Sequence, residues 1–494
     1  MTFMGKPHTP HPDTLYLSRA EPWWSDVSQR ADWLRCFRER VARDTLRLAH
    51  LIRDEVGKPL DEAIAADVMA LLAAIKWHQK HSGRLLRDRR APGKPVWMLG
   101  ISQRIARAPI GRVGIIATWN YPVQLLGVQL VQALCAGNRV VVKPSEHTPR
   151  TQAALLELAA EGLPDGCLTW TRATREAGRD MLASGGLDHV VFTGSTNVGR
   201  MIASSLAEPL VPSTLELSGK DSAFVLEDAD TTLAAKTIWQ YVVMNSGQTC
   251  MAPRRALVHE SVYAEFVRQI GLLGAGEAPR KLITRGAAHE AHRAAVEGVE
   301  AGGRPLSGVL EEPFGDDGRW MRPVAIADCP DDAPTVRGDH FGPVIALVPV
   351  KDLEHALRIH HTNGQHLATS VFTKSKSRVR AIAPRLGSSV VTHNDVVMPT
   401  GHPATPIGGR GHSGWGVSRG EEGLLAMTRP VNVASTGRLR LPVGPTPPGQ
   451  DARLTQMISM LYGKVAPHTP EDTTTAHPNT IVERTTDSQE TPTP

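Results

Sequence analysis

Hydrophobic positions in the first part of the chain recur at the spacing of an amphipathic helix. Apolar residues stand three or four positions apart over 34–48, and Gly57 with Pro59 then supplies a stop signal. A second run with this spacing covers 64–75. Because residues three and four apart share one helix face, both runs predict helices that pack against a core.

The pattern then changes to short, continuously apolar, β-branched runs separated by segments long enough for helices. Such an alternation is typical of a parallel sheet covered on both faces. The predicted strands are 113–118, 139–143, 167–170, 189–193 and 213–217, followed by 222–226, 255–259, 344–350, 368–373 and 388–392. They predict an α/β protein built from two units, with a site where the two meet.

Two segments do not follow this alternation. Residues 92–109 lack helical periodicity and are predicted to form an outlying hairpin. Among the 30 residues of 465–494, nine are threonine and five are proline. Such a composition buries too little apolar surface to offset the entropy of ordering the chain. We therefore expect 446–494 to be a disordered tail.

The composition of the 494 residues is that of a globular protein, with 41% hydrophobic and 21% charged residues. The net charge is +5, and the longest basic run is the short stretch 87–90. Because nucleic-acid proteins usually concentrate basic residues in a stripe, no nucleic-acid partner is expected. No stretch approaches 18 apolar residues, and residues 1–12 lack a signal-peptide core. We expect a cytoplasmic protein with no membrane partner.

The five cysteines have no paired CxxC spacing, which argues against a disulfide framework and against a zinc site. Each is first interpreted as a small buried hydrophobic residue in a reduced protein. The histidine pairs 78/81 and 360/361 have no apparent third ligand and are interpreted as surface residues. No metal site is predicted.

One cysteine has a context that suggests reactivity. Cys250 follows Gly-Gln-Thr in the polar segment 245–255, and a cysteine there is a candidate nucleophile if its surroundings stabilise the thiolate. Glu216 lies 34 residues upstream at a predicted strand end. Its carboxylate is a candidate base toward water or the thiol. Considered alone, Glu216 is more simply interpreted as a solvated loop residue.

Two further motifs follow predicted strands. The amide of Asn120, next to Trp119, is a candidate donor to a developing oxyanion, and a helix cap before Pro122 is the alternative. Lys143 and Glu146 suit a ribose or phosphate at the carboxyl edge of an open parallel sheet. A plain exposed ion pair is the alternative for these two.

The segment 192–199 follows a strand and opens a predicted helix. Gly194 and Gly199 permit a close backbone approach to a pyrophosphate, and the helix N-terminus at Ser195 favours anions. The spacing is not that of the GxGxxG fingerprint, so this segment alone is a weak indication of nucleotide binding.

Taken together and in order, these motifs resemble those of the aldehyde dehydrogenase superfamily. The motifs are Trp-Asn-Tyr-Pro, Lys-Pro-Ser-Glu, Phe-Thr-Gly-Ser, Glu-Leu-Ser-Gly-Lys and Gly-Gln-Thr-Cys, continued by His-Phe-Gly-Pro at 340–343 and Ile-Gly-Gly-Arg-Gly-His-Ser-Gly at 407–414. The short spacing from Cys250 to Phe341 looks most like the class 3 branch, which includes fatty and aromatic aldehyde dehydrogenases.

The resemblance implies an aldehyde dehydrogenase-like α/β fold. Two open α/β lobes, a Rossmann-like cofactor lobe and a catalytic lobe, are joined by a small β oligomerisation element. The implied NAD(P)-binding domain is 15–90 with 110–217, the catalytic domain is 218–415, and the oligomerisation element is 91–109 with 428–443. A homodimer or higher homo-oligomer is the expected assembly.

The resemblance also implies a mechanism. Cys250 attacks the aldehyde carbon, and Asn120 with the Cys250 backbone N–H holds the oxyanion of the thiohemiacetal. Hydride transfer to a nicotinamide leaves a thioester, and Glu216 activates the water that hydrolyses it to a carboxylic acid.

The implied cofactor is NAD, and NADP is the second option, since class 3 relatives often accept both although Glu146 repels a 2′-phosphate. The residues expected at the cofactor are Lys143, Glu146, Ser195, Gly194, Gly199, Trp119, Asp339 and Phe341. Asp339 departs from the family pattern, which has glutamate there. Its shorter side chain is expected to reach the ribose by a longer or water-mediated contact, or by a loop shift.

The expected substrate is a neutral, hydrophobic aldehyde, aliphatic or aromatic. The segment 396–409 contains no lysine or arginine, whereas an anionic substrate usually needs an arginine clamp. Trp239, Tyr241 and Met244 either line an apolar entry or belong to the core. Two alternatives stay open: a CoA-acylating relative, which typically lacks the base that Glu216 supplies, and a catalytically silent scaffold with the same fold.

Overall fold

The computed structural model describes Trp23 and residues 26–306, 310–438 and 450–465. The chain divides into two compact units. The first comprises the chain up to Ala91 together with Gln103–Val433, and the second comprises Pro92–Ser102 with the residues from Ala434 onward. The first unit contains both large sheets.

The six-stranded sheet is parallel except at one edge, where a two-residue strand pairs antiparallel. In spatial order its strands are Gly414–Trp415, Ser213–Leu217, His189–Gly194, Arg112–Ile116, Arg139–Lys143 and Leu168–Trp170. The order reverses direction at Arg112–Ile116, which pairs with His189–Gly194 on one side and Arg139–Lys143 on the other. Crevices at the carboxyl ends beside such a reversal are where open α/β sheets bind ligands.

The seven-stranded sheet is also parallel, apart from one short antiparallel edge strand. In spatial order its strands are Arg304–Pro305, Val324–Ala327, Val344–Val350, Arg255–His259, Ser222–Val225, Ala368–Phe372 and Val390–His393. The ten predicted strands all occur in the two sheets, and the predicted α/β fold is confirmed. Val324–Ala327, a fully buried strand, was not predicted.

Helices cover both sheets. The helix Gln124–Cys135 is buried along its whole length and packs against Ala70–Leu85, where Gly127 leaves space for Leu71. The helices are Val27–Arg43, Thr45–Val56, Leu60–Glu62, the π-helical turn Ala63–Met69, Ala70–Leu85, Gln124–Cys135, Pro149–Ala160, Arg175–Ala183, Thr196–Ala207, Thr231–Val243, Glu260–Ala275, Arg285–Glu300, Pro334–Arg337, Leu353–His360, Lys376–Leu386, Gly420–Ala426 and Gln450–Leu461. The 3₁₀ turns are Val96–Met98, Met244–Gly247 and Met398–Gly401. None of the helices in the described ranges is long and apolar enough to cross a membrane.

A three-stranded sheet contains Arg89–Arg90, Ile101–Pro109 and Thr428–Thr436, in that order. The predicted hairpin therefore begins a few residues earlier than expected, because Arg89–Arg90 pairs with the second strand. A two-strand sheet, Arg280–Lys281 with Trp320–Met321, completes the strands of the first unit.

In the second unit, the helix Gln450–Leu461 lies within the segment predicted to be disordered, so that prediction is wrong for these residues. Residues 454, 457, 458 and 461 are Leu, Met, Ile and Leu, a helical spacing that the threonine- and proline-rich end of the chain conceals. Trp97 Nε1 donates to Tyr462 Oη over 3.2 Å within this unit. Residues 446–449 and 466–494 of the predicted tail, 439–443 of the predicted oligomerisation element, and 15–22 of the predicted NAD(P)-binding domain lie outside the described residues.

Candidate active site

A cavity of about 280 Å³ lies at the carboxyl ends of His189–Gly194 and Ser213–Leu217 in the six-stranded sheet. Eight of the eleven predicted site residues line it: Trp119, Asn120, Gly194, Ser195, Glu216, Cys250, Asp339 and Phe341. The remaining three, Lys143, Glu146 and Gly199, are not part of the cavity wall. The fold therefore brings the three predicted catalytic residues to one cavity from distant parts of the chain.

The loop that carries Cys250 is hydrogen-bonded to the side chain of Arg254, which is 1% exposed. The Arg254 guanidinium donates to Gly247 O over 2.8 Å and to Thr249 O over 2.9 Å. These two bonds fix the backbone on both sides of Gln248, directly before the nucleophile. Sequence reasoning missed this residue, because an arginine next to a second arginine is usually solvent-exposed.

The Cys250 thiol is surrounded by groups that oppose its ionisation. Burial raises the pKa of Cys250 to about 12, and the nearby carboxyl groups of Asp221 and Glu216 act in the same direction. Arg419 and Arg254 lower the pKa but do not offset burial. Cys250 is therefore a neutral thiol near neutral pH, and its attack on a carbonyl requires a base to remove the proton.

Asn120 is fixed by contacts on both its side chain and its backbone. Its Nδ2 donates to Gln248 O over 3.1 Å, and its Oδ1 accepts from Thr118 over 3.2 Å. Because an amide nitrogen carries two N–H groups, one donor is left for a ligand oxygen in the cavity. The helix that follows begins at Gln124 with Val123 at its N-cap, so the alternative interpretation of Asn120 as a helix cap is wrong.

The segment after Asn120 rests on a buried ion pair that sequence reasoning did not identify. Lys58 Nζ lies 2.5 Å from Asp67 Oδ2, and both side chains are fully buried. Lys58 also donates to Asn120 O over 3.0 Å, while Asp67 Oδ1 accepts from the backbone N–H groups of Val123 and Gln124. The pair therefore anchors the backbone that presents the candidate oxyanion donor.

Glu216 is buried rather than solvated, which excludes its interpretation as an ordinary loop glutamate. Its carboxylate accepts hydrogen bonds from Ser418 Oγ and, over 3.3 Å, from Thr193 Oγ1. Gln129 in turn donates to Thr193 over 2.9 Å. Burial raises the pKa of Glu216, and the hydrogen bonds together with the charge of Arg419 oppose this rise. A carboxylate held in this way is suited to accept a proton.

Lys143 and Glu146 form an ion pair of 2.6 Å beside the cavity, and Arg175 lies 3.2 Å from the other carboxylate oxygen. Burial raises the pKa of Glu146, but the hydrogen bond from Lys143 and further contacts outweigh it and lower the pKa to about 2. Glu146 is therefore an ionised acceptor at neutral pH, which fits a sugar hydroxyl.

The loop after His189–Gly194 leads into the helix Thr196–Ala207, with Ser195 as its N-cap. A Cβ atom on Gly194 would lie 2.4 Å from the Phe192 ring, so the loop has no room for a side chain there. A helix N-terminus with closely approaching backbone is suited to a phosphate group. Gly199 differs in role, since it faces Leu217 and permits close packing of the helix on the sheet.

The aromatic residues at the cavity pack edge to face, with 5.7 Å between the ring centroids of Trp119 and Phe341. Asp339, which also lines the cavity, accepts a hydrogen bond from Gln365 Nε2 over 3.4 Å. These residues, with the Lys143–Glu146 pair and the loop at Ser195, form a donor and acceptor set that fits a dinucleotide.

Trp239 and Tyr241 belong to the core rather than to an apolar entry. Trp239 donates to Glu277 over 3.3 Å, and the Tyr241 hydroxyl accepts from Met398 N over 3.0 Å. The apolar part of the cavity wall consists instead of Leu125, Leu217, Met251, Leu367 and Ile407.

The interpretation of the histidine pairs as surface residues is wrong for His78 and His360, which are both buried, and a third histidine stands beside the second pair. His366 stands beside His360 and His361, with the nearest ligand atoms of all three within 4.8 Å of one another, so a third histidine is present. His360 is buried, and its ring nitrogens hydrogen-bond to Ser222 Oγ and Leu386 O. Because both ring nitrogens of His360 are engaged and His361 Nε2 hydrogen-bonds to Arg385 O over 3.0 Å, the cluster is better explained as packing than as a metal site.

Comparisons with known proteins agree with this geometry. The model of the aldehyde dehydrogenase family matches residues 18–433. The chain is 31% identical to 4,4'-diapolycopene aldehyde oxidase of Methylomonas sp, over 86% of this chain and 81% of that protein. It is 32% identical to geranial dehydrogenase of Castellaniella defragrans, over 83% of this chain and 87% of that protein.

The fold has close counterparts among solved structures. An aldehyde dehydrogenase of Mycobacterium tuberculosis complexed with NAD+ superimposes with a TM-score of 0.79 and 28% identity, over 87% of this chain and 88% of that one. The predicted family is thus confirmed by sequence and by fold. This chain belongs to the aldehyde dehydrogenase family, whose members are oxidoreductases that act on aldehydes.

Proposed function

We propose that this protein oxidises an aldehyde to the carboxylic acid with NAD, through a thiohemiacetal and a thioester on Cys250. The observation that carries the proposal is the convergence of Cys250, Glu216 and Asn120 on one cavity. A nucleophile, a base and an oxyanion donor within one enclosed site are the parts that acyl chemistry on a thiol requires.

The first step forms a bond between Cys250 Sγ and the aldehyde carbon. Because burial raises the pKa of the thiol, its proton passes to Glu216 as the bond forms, directly or through a water. The negative charge that develops on the aldehyde oxygen is held by Asn120 Nδ2 and by the Cys250 backbone N–H. When bound, NAD accepts the hydride that leaves the carbon.

The second step breaks the carbon–sulfur bond. After Glu216 has released the thiol proton to solvent, it accepts a proton from water, whose oxygen attacks the thioester carbon. The Cys250 thiolate leaves and takes up a proton from Glu216, which restores the thiol and the carboxylate. Glu216 thus acts as a base in both steps, and the hydrogen bonds from Ser418 and Thr193 hold its carboxylate in place. Lys143, Glu146 and Ser195 are the residues that would hold the adenosine ribose and the pyrophosphate, with Asp339 and Phe341 at the second ribose.

The proposal is tested by measuring NADH formation with a panel of neutral aldehydes. We expect Cys250→Ala to abolish oxidation. Cys36→Ser, which changes a half-buried thiol in the helix Val27–Arg43 outside the cavity, serves as the matched control. Full turnover by the Cys250 variant would falsify the mechanism.

Glu216→Gln separates the two steps. The variant keeps the shape of the side chain but cannot accept a proton, so we expect turnover to fall by about 10²–10⁴-fold. Mass spectrometry of the reacted variant is expected to show the acyl group retained on Cys250 if acylation is slowed less than hydrolysis. An active Glu216→Gln enzyme would show that another group supplies the base.

The proposed substrate is a neutral, hydrophobic aldehyde. The apolar wall of Leu125, Met251, Leu367 and Ile407 supports this. We expect higher kcat/KM for aliphatic or aromatic aldehydes than for aldehydes bearing a carboxylate, and the reverse order would contradict this proposal.

The five free thiols support a reducing, cytoplasmic location.

The CoA-acylating alternative is disfavoured by Glu216, because a base held beside the nucleophile serves hydrolysis. Product analysis decides between the two reactions. We expect the free acid without added CoA, whereas NADH formation that requires CoA would indicate the acylating enzyme. A protein that forms neither NADH from NAD nor NADPH from NADP with any aldehyde would be the silent scaffold.

A further inference from the structure

Arg419 is a cation in the wall of the cavity that the proposed mechanism does not use. Among the described residues that line the cavity, it is the only lysine or arginine. It directly follows Ser418, whose hydroxyl donates to Glu216. Its own Nη1 donates to Thr400 O over 2.8 Å, in the 3₁₀ turn Met398–Gly401. One short segment therefore brings a hydrogen bond and a positive charge to the candidate base.

The backbone at Arg419 is held in a conformation that favours glycine. Its φ is +62° and its ψ is 165°, a region that residues with a Cβ rarely adopt. The preceding residue is fixed by two backbone hydrogen bonds between Ser418 and Ile407, of 2.7 and 2.9 Å. The following residue, Gly420, lies so close to Ala404 that a Cβ would meet its carbonyl oxygen at 2.4 Å. Strain that the surroundings enforce at a cavity is characteristic of functional positions.

The charged groups around Cys250 and Glu216 indicate how the positive charge of Arg419 acts on these two side chains. Cys250 faces the carboxyl groups of Asp221 and Glu216 and the guanidinium groups of Arg419 and Arg254. Arg254 is committed to the backbone of the nucleophile loop through Gly247 O and Thr249 O. Arg419 is the charged neighbour that Glu216 and Cys250 share, and it opposes the effect of burial on both.

We propose that Arg419 is a positioning residue whose charge stabilises the Glu216 carboxylate and the negative charge that develops on the Cys250 sulfur when its proton leaves, while Ser418 holds the carboxylate in place. This inference rests on the proposed function, because it assigns Arg419 a role only through those two groups. The cavity wall also carries Glu290 and Asp339. Its carboxylates outnumber its single cation, so Arg419 leaves no net positive charge to attract an anionic substrate.

The test compares pH profiles of kcat/KM for the wild type, Arg419→Gln, Arg419→Gly and Arg419→Lys, with NAD and a neutral aldehyde. Removal of the charge is expected to move the acidic limb to higher pH by about one unit, which lowers kcat/KM on that limb about tenfold. Arg419→Lys keeps the charge and is expected to retain most of the wild-type profile. Arg419→Gly removes the charge together with the backbone strain, so it stays informative if Arg419→Gln fails to fold.

A second readout does not depend on turnover. The rate at which iodoacetamide alkylates Cys250, with the Cys250→Ser variant as background, reports the thiolate fraction in the absence of substrate. We expect slower alkylation at each pH in the two charge-removing variants. The matched control is Arg410→Gln, an exposed arginine of the same glycine-rich segment that does not line the cavity. Its profile and alkylation rate are expected to match those of the wild type.

Three outcomes would overturn the inference. In the first, Arg419→Gln or Arg419→Gly has the wild-type pH profile and alkylation rate. In the second, the loss is confined to aldehydes that carry a carboxylate, which would make Arg419 a substrate clamp. In the third, Arg419→Lys loses as much as Arg419→Gln at unchanged pH dependence, which would indicate a purely structural role. Failure of the proposed function looks different, because wild-type protein would then lack Cys250-dependent oxidation altogether.

Discussion

Lys58 and Asp67 illustrate how much of the site depends on single buried charges. Neither side chain is exposed, and neither contacts the cavity, yet together they hold the backbone from Asn120 to Gln124. A buried ion pair stabilises little in total, because both ions are removed from water. Loss of one partner is costly, since the other is left as an uncompensated charge.

We therefore expect Lys58→Met to lower the free energy of unfolding by about 3–5 kcal/mol. Urea denaturation followed by tryptophan fluorescence measures this change. Arg268→Ala is the control, because the Arg268–Glu265 pair is exposed and exposed ion pairs contribute little to stability. Equal losses in the two variants would show that burial of the Lys58–Asp67 pair has no special effect.

At this scale, the sequence identifies the candidate reacting groups more readily than the residues that support them. Cys250 and Glu216 stand in motifs whose residue types and order indicate their chemistry. Arg254, Lys58 and Arg419 stand in no such motif, and charged residues are normally exposed. Part of the environment that buries such residues comes from distant segments, such as Asn120 for Lys58, 62 positions away, and no local pattern contains that information.

At the scale of elements, the segment between the helix Thr231–Val243 and Cys250 has a strongly constrained backbone. Asn245, Ser246 and Gly247 have φ values of +50°, +57° and +70°, so three consecutive residues adopt the left-handed region. The side chain of Asn245 donates to Asn120 O and to Gln248 O, each over 3.0 Å, which favours this turn. The turn leads directly to Cys250 in the wall of the cavity.

Gly247→Ala tests this element. A Cβ at residue 247 would lie 2.4 Å from the backbone of Gly342, and the positive φ adds strain. Overpacking and a left-handed alanine cost about 1–3 and 1–2 kcal/mol respectively, so we expect a loss of at least about 2 kcal/mol of unfolding free energy. Gly271→Ala is the control, because that helical glycine has open space around it and alanine there should stabilise by about 0.5–1 kcal/mol. A stable Gly247→Ala enzyme with full activity would contradict the constraint.

Most strands that the pattern predicted correctly are continuously apolar and rich in β-branched residues. Val324–Ala327 directly follows a proline at 323 and contains two alanines, and both residue types are depleted in strands. The predicted helix over 34–48 is divided at Asp44 into Val27–Arg43 and Thr45–Val56, although the apolar spacing continues through the break. The apolar periodicity indicates which face of a helix is buried. A bend that keeps the same face buried does not change this periodicity, so the sequence pattern does not reveal the bend.

At the scale of the whole molecule, the sheet topology brings together residues that no local sequence pattern connects. The six-stranded sheet places the carboxyl ends of its central strands at one edge, and the loops there carry Trp119, Asn120 and Ser195. Glu216 and Ser418 are 202 positions apart and hydrogen-bonded. The order of motifs predicts which residues share a site, but only the fold determines the distances between them.

The strand Thr428–Thr436 offers an edge for assembly. It is the outer strand of the three-stranded sheet, and its residues are exposed apart from Thr428 and Val431. An edge strand with free backbone groups is a template for pairing with another chain unless it is blocked. We propose that copies of this chain associate through this edge, in agreement with the expected dimer or higher homo-oligomer.

Size-exclusion chromatography coupled to light scattering tests the assembly. The wild type is expected to have at least twice the mass of one chain at micromolar concentration. Val433 is 49% exposed on the edge strand, and Val433→Lys places there the kind of charge with which proteins block strand pairing, so the mass should fall toward that of one chain. Leu272→Lys, at a 63% exposed position on the helix Glu260–Ala275, should keep the wild-type mass. If the wild type is monomeric, or if Val433→Lys has the mass of Leu272→Lys, the edge strand does not mediate assembly, and any oligomer must form through another surface.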